Sequence, residues 1–133
     1  ATYLAEMNSD NRKQAMTMLY ESVKTRVDMS FDSFENALKD WDVVPLEQKN
    51  EIIGAVILKK NEIHVGYGKK PTASIIRHIR KTLANIINQF GSAITIIDSK
   101  NEKGLNFCQR LGFVTTEING GLVHMKCERC NYV

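Results

Sequence analysis

Chemistry-bearing residues concentrate in three stretches of the sequence. The segment Glu62-Ile63-His64-Val65-Gly66-Tyr67-Gly68 alternates apolar and polar positions, the pattern of a half-buried strand. Ile63, Val65 and Tyr67 fall on one face and Glu62, His64, Gly66 and Gly68 on the other. A carboxylate and an imidazole two residues apart on a strand share a face, and either could take a proton from an attacking nucleophile. The bland reading, a surface histidine beside a strand-end glutamate, has equal weight. The second stretch is His124-x-x-Cys127-x-x-Cys130. A structural zinc site wants four ligands, usually as two such pairs. No second pair exists, and on a strand His124 and Cys127 point to opposite faces, so no metal is expected. The third is a set of cations, Lys69, Lys70, Arg77, Arg80, Lys81, Lys103 and Arg110, suited to the phosphate of a cofactor or of DNA or to a plain solvated helix face. Of the aromatic residues that single-strand binding prefers, only Tyr67 lies among them.

Elements must position these groups. Residues 2–7 form a short first strand. Met16, Leu19, Tyr20, Val23 and Val27 recur at helical spacing after cap choices at Asn8, Ser9 and Asp10. Ser30 caps a second helix whose apolar stripe is Phe31, Phe34, Leu38 and Trp41. Val43 to Glu47 is a short strand, near an edge or bulge because of Pro45. Lys49-Asn50 turns the chain into the apolar strand Glu51 to Lys60, and Asn61 turns it again into Glu62 to Gly68. Pro71 suits the first turn of a long helix with the stripe Ile75, Ile79, Leu83, Ile86, Ile87 and Phe90, stopped by Gly91; its opposite face carries Arg77, Arg80 and Lys81. Ala93 to Ile97 is a buried strand. Ser99-x-x-Glu102 has the capping-box form and opens a shorter helix ending near Gly112. Phe113 to Ile118 and Leu122 to Arg129 form a terminal hairpin about Asn119-Gly120-Gly121. The order is β-α-α-β-β-β-α-β-α-β-β, an α/β chain with a mixed sheet and helices on both faces.

With 133 residues and no repeat, low-complexity tract or linker, one domain spanning 1–133 is expected. An apolar fraction of 43% and a charged fraction of 25% exclude a disordered, collagenous or coiled-coil chain. No apolar run is long enough for a bilayer, and no basic region with an apolar stretch opens the chain as a signal peptide does. Three cysteines, an odd number, suit a reducing, cytoplasmic compartment. Residues 1–66 carry 8 basic against 11 acidic side chains and residues 67–133 carry 10 against 4. The second half therefore prefers an anionic partner, a phosphate-bearing cofactor or nucleic acid.

The string from Asn101 to Phe113, NEKGLNFCQRLGF, resembles the late helix and following strand of the GCN5-related N-acetyltransferase superfamily, whose pattern is roughly N-x-x-A-x-x-F-Y-x-x-x-G-F. Asn101, Phe107, Gly112 and Phe113 fall in place, Gly104 stands at the small position and Cys108 at the usual tyrosine. The element order resembles that fold over the whole chain. The resemblance implies transfer of an acetyl or similar group from acyl-coenzyme A to a primary amine, the acceptor lying between the first two helices and the sheet. It implies that the strand Glu62 to Gly68 splays from the strand starting at Ala93, and that backbone groups there, with Val65, Tyr67 and Gly68, bind the pantetheine arm. His64, or Glu62 in its place, is then the general base, Cys108 the candidate donor to the leaving thiolate, and Asn101 and Phe107 further cofactor-binding positions.

Two departures from the family pattern follow. The pyrophosphate turn, of form Q/R-x-x-G-x-G/A, is here Tyr67-Gly68-Lys69-Lys70-Pro71-Thr72, with Lys70 and Thr72 where glycines are expected and Pro71 removing one N–H. Lys69, Lys70, Thr72 and Ser74 are the groups that compensate. At Cys108 a small buried thiol replaces the tyrosine. Both departures also fit a degenerate relative serving as a scaffold or interaction protein, similar to proteins of phage particles, or a DNA-facing protein resembling phage Mom-type modifiers. A homo-oligomer fits each of these.

Overall fold

A computed structural model of the chain describes residues 8–71 and 74–131, without the side chains of residues 8 and 9. The expected first strand at residues 2–7 lies outside the described residues. From the first helix onward the ten expected elements occur in the expected order: α1 (Asn8–Val23), α2 (Phe31–Ala37), β1 (Asp42–Gln48), β2 (Glu51–Lys59), β3 (Glu62–Tyr67), α3 (Ile76–Phe90), β4 (Ala93–Asp98), α4 (Glu102–Leu111), β5 (Val114–Asn119) and β6 (Leu122–Cys127). The strands form one mixed six-stranded sheet in the order β1-β2-β3-β4-β6-β5. Two compact units divide the chain, one of residues 1–59 and 65–75 and the other of residues 60–64 and 76–133.

In the first unit, Ala15, Met16 and Leu19 of α1 pack with Ala55 and Ile57 of β2, and Phe31, Phe34, Leu38, Trp41, Val43 and Ile52 close around them. Helix α1 ends at Val23, so Val27 falls outside it, and α2 ends at Ala37, so Leu38 and Trp41 pack from beyond its last turn. Their carbonyls are not wasted. The Arg12 guanidinium donates to Trp41 O at 2.9 Å and Leu38 O at 3.1 Å. Ser30 caps α2 by accepting from the Ser33 N–H at 3.2 Å. Tyr20 meets Phe31 edge-on, with ring centroids 5.6 Å apart. Pro45 sits where a proline does least harm: among the described residues β1 is the outermost strand, with a register shift close by at Leu46/Glu47.

In the second unit, Ile79, Leu83 and Ile86 of α3 are buried, as are Ala93, Thr95, Val123 and Met125 of β4 and β6. Six register pairs join β4 to β6, Ala93 with Cys127 through Asp98 with Leu122. Helix α3 begins at Ile76, five residues past Pro71, which is therefore not in its first turn. The α4 cap is Asn101, whose side chain accepts from the Gly104 N–H at 3.0 Å. Ser99 is diverted, its N–H donating to Gly121 O at 2.9 Å. β5 starts one residue later than expected and β6 ends two residues earlier.

Candidate functional site

Strand β3 carries the first group of candidates. Ile63 is buried and anchors the strand. On the opposite face the His64 Nε2 and Glu62 Oε2 lie 2.6 Å apart, each side chain about 30% exposed. An i, i+2 spacing on a strand produces this pairing with no other element needed. A carboxylate in this place fixes the ring and stabilises the imidazolium formed when the ring takes up a proton. The pair is reachable from solvent yet held. β3 pairs in parallel with β4 through one register pair, Glu62 with Ile94, and the Ile94 N–H donates to Asn61 O at 2.8 Å.

The second group runs from Val65 to Lys70. The Gly68 N–H donates to Ile53 O of β2 at 2.8 Å, and the Lys69 N–H reaches the same oxygen at 3.4 Å. Backbone groups alternate sides along an extended strand, so Val65 and Tyr67 present theirs to the edge away from β2. Three glycines make this approach possible. A Cβ on Gly54 would lie 2.2 Å from Gly66 O and 2.7 Å from Tyr67 Cα. A Cβ on Gly66 would lie 2.5 Å from Ser22 Oγ, and one on Gly68 would lie 2.9 Å from Met18 Sδ, so α1 covers the face to which Gly66 and Gly68 belong. Lys69 forms an ion pair with Glu51, which leaves Lys70 as the turn's unpaired cation among the described residues. Ser74 is exposed. Thr72 lies outside the described residues. With the Gly68 and Lys69 N–H groups turned to Ile53 and none on Pro71, this turn offers positive charge in place of a full amide cradle.

Helix α4 holds the third group. Asn101 is engaged in capping, and a Cβ on Gly104 would lie 2.5 Å from its Nδ2. The small residue three positions after the asparagine is therefore part of the cap. Phe107 is half-buried, with the Arg110 guanidinium 5.8 Å from its ring centroid. Gly112 ends the helix at φ 112°, where a Cβ would lie 2.5 Å from Arg129 O. Residues after β6 finish the capping: the Asn131 N–H donates to Leu111 O at 2.9 Å and its Nδ2 to Arg110 O at 3.1 Å. Nothing local in the sequence marks this non-local cap.

Burial pushes the Cys108 thiol up to about 12, with the nearby Cys127 adding to the rise. A thiol so raised holds its proton, so it is a poor acid toward a thiolate leaving group of ordinary basicity near 8.5. The sign also sets an alkaline limit on stability. The folded state favours the neutral thiol, so its contribution is complete below the ordinary thiol pKa of about 9 and is lost as pH climbs from there toward about 12. We expect the urea midpoint of the parent to fall more steeply between pH 8.5 and 10.5 than that of Cys108→Ala. Parallel slopes in the two proteins would remove the effect.

The remaining candidates are surface cations and the C-terminal cysteines. Arg77, Arg80, Lys81, Lys103 and Arg110 are all exposed. Cys127 and Cys130 are buried free thiols, and among the described residues no three His, Cys, Asp or Glu side chains gather as a metal site. None of the described helices is long and apolar enough to cross a membrane. Within the first unit a cleft of about 440 Å³ opens between α1 and the β1–β2 turn, lined among others by Asn11, Lys13, Gln14, Glu47, Asn50 and Glu51. No sequence-selected residue lines it, although Glu51 is the ion-pair partner of Lys69.

No family model and no curated protein matches the sequence. Solved structures do match. A protein of Pyrococcus horikoshii is 16% identical over 90% of this chain and 89% of its own, with a TM-score of 0.67. The paia N-acetyltransferase of Thermoplasma acidophilum, solved in complex with coenzyme A, is 12% identical over 87% and 89%, with a TM-score of 0.58. A GNAT family acetyltransferase of Elizabethkingia anophelis with acetyl-CoA bound is 15% identical over 84% and 88%, with a TM-score of 0.62. At these identities the likeness is one of fold.

Proposed function

We propose, taking the GCN5-related N-acetyltransferase fold of this chain as the premise, that it transfers an acyl group from acyl-coenzyme A to a primary amine. The observation that carries the reading is the His64–Glu62 pair, 2.6 Å apart and solvent-accessible, on the strand whose backbone also supplies Val65 and Tyr67. Acyl-coenzyme A supplies the activated thioester. In this reading His64 takes the proton released by the attacking amine, and Glu62 steadies the ring and the charge it gains. The outward N–H and C=O groups of Val65 and Tyr67 hold the pantetheine amides by strand-like hydrogen bonds. Lys70 meets the phosphates as a charge, with the Ser74 hydroxyl as a further partner. Asn101 and Phe107 act by holding the start and body of α4. Cys108 packs the helix and retains its proton.

A second reading has its own support. Two N–H groups of the pyrophosphate turn are bonded to Ile53 O, which fits a scaffold that has given up the cofactor. Calorimetric titration with acetyl-coenzyme A separates the two. We expect the parent to bind and Lys70→Ala to bind about ten- to a hundredfold more weakly, the effect of losing one hydrogen bond to a charged group. In thermal melts the parent should gain about 2.7 kcal/mol at a ligand concentration a hundred times Kd. Absence of heat and of stabilisation in the parent would favour the scaffold.

A further inference from the structure

Helix α3, IRHIRKTLANIINQF, contains no acidic residue. Its buried side is Ile79, Leu83 and Ile86; Arg77, Lys81, Asn85 and Asn88 are exposed on the opposite side, with Arg80 exposed on one flank and His78 and Gln89 on the other. Arg77, Lys81, Asn85 and Asn88 follow each other at i, i+4, i+8 and i+11, one line along the exposed face. An ordinary solvated face mixes signs, because opposite charges three or four residues apart support a helix and like charges weaken it. Here Arg77 repels both Arg80 and Lys81, and no carboxylate of the helix relieves either pair. These cations also lie toward the N-terminal end, where the helix dipole disfavours them. The face is thus built against its own helix and complementary to a dense array of negative charge.

We infer that the exposed face of α3 docks on double-helical DNA. The cations match phosphates, and releasing condensed counterions gives such contacts their affinity. The carboxamides of Asn85 and Asn88 continue the face of Arg77 and Lys81, and Asn pairs bidentately with adenine in the major groove. A helix of 15 residues is about 22 Å long and fits the major groove of B-form DNA, whereas the deep, narrow groove of A-form RNA excludes it. The inference does not depend on acyl transfer, since none of these residues belongs to the groups assigned to that reaction.

The test is fluorescence anisotropy of a labelled 24-base-pair DNA duplex titrated with the full chain at several salt concentrations. We expect saturable binding, with log affinity falling against log salt at a slope of about −2 to −3, the mark of roughly three phosphate contacts. The variant Arg77→Ala/Arg80→Ala/Lys81→Ala should bind at least tenfold more weakly with a flattened slope, and its thermal midpoint should equal or exceed the parent's because the repulsion is gone. Four results would overturn the inference: no binding by the parent at 50 mM salt, undiminished binding by the triple variant, equal affinity for an RNA duplex of the same length, or stoichiometric displacement of the DNA by acetyl-coenzyme A. The last would assign these cations to the coenzyme's phosphates.

Discussion

His64→Gln is expected to lower kcat for acyl transfer by about 10²- to 10⁴-fold, the usual range for a general base, while acetyl-coenzyme A still raises the thermal midpoint. The two halves of this result have separate origins. The imidazole is about 30% exposed and bonded to Glu62, so replacing it removes little packing and leaves β3 anchored by the buried Ile63. Coenzyme binding is assigned to the backbone of Val65 and Tyr67 and to Lys70, none of which changes. Only proton removal from the amine is lost. Glu62→Gln keeps the shape and a hydrogen bond to the ring but removes the charge, so its effect should be smaller, about tenfold. Rate of thiol release with a panel of primary amines provides the measurement. A larger loss in Glu62→Gln than in His64→Gln would make the carboxylate the base and the imidazole its support. Loss of coenzyme binding in His64→Gln would move His64 into the binding surface and out of proton transfer.

Much of this arrangement was legible because it is local. Alternation alone put Glu62 and His64 on one face, and their pairing follows from strand geometry. Pro45 announced an edge or a bulge, and a register shift follows it at Leu46/Glu47 on the strand that is outermost among the described residues, since a residue with no N–H is tolerated where the ladder is open or broken. The α4 cap is Asn101 and not Ser99 for a physical reason. Ser99-x-x-Glu102 and Asn101-x-x-Gly104 overlap, and two neighbouring bonds decide between them. The Asp98 carboxylate takes the Lys100 N–H at 2.9 Å, forming a turn just before the helix, and Ser99 is tied to Gly121 on the far hairpin. Helix α3 starts later than Pro71 suggests, because a proline with a fixed φ suits non-helical backbone as well as a first helical position. What stayed hidden joins residues distant in sequence: Arg12 on the carbonyls after α2, Asn131 on the end of α4, and Lys69 on Glu51. A polar residue in a turn gives no indication of which remote carbonyl it will satisfy.

The hidden contact with the greatest consequence is at Gly54, and Gly54→Val is expected to destabilise the protein by about 3 kcal/mol or more, the upper range for overpacking. Its neighbours are backbone atoms, Gly66 O at 2.2 Å and Tyr67 Cα at 2.7 Å from a Cβ placed there. A flexible side chain could swing aside, but a neighbouring strand moves only as a whole. Movement of β3 toward α1 is blocked as well, because Ser22 Oγ and Leu19 Cδ1 already stand 2.5 and 2.7 Å from where a Cβ on Gly66 would be. Displacement would also strain the bond from the Gly68 N–H to Ile53 O, which orients the Val65 and Tyr67 backbone. Stability and coenzyme binding should therefore fall together, and in the milder Gly54→Ala binding should weaken at temperatures where the far-ultraviolet spectrum remains native. Gly91→Ala is the control. Gly91 has a φ of +84° but nothing within 4 Å of its Cβ position, so only conformational strain of about 1–2 kcal/mol is expected. Urea midpoints that rank Gly54→Val no worse than Gly91→Ala would mean that β3 is not wedged between β2 and α1, and the orientation of the Val65–Tyr67 edge would then need another cause.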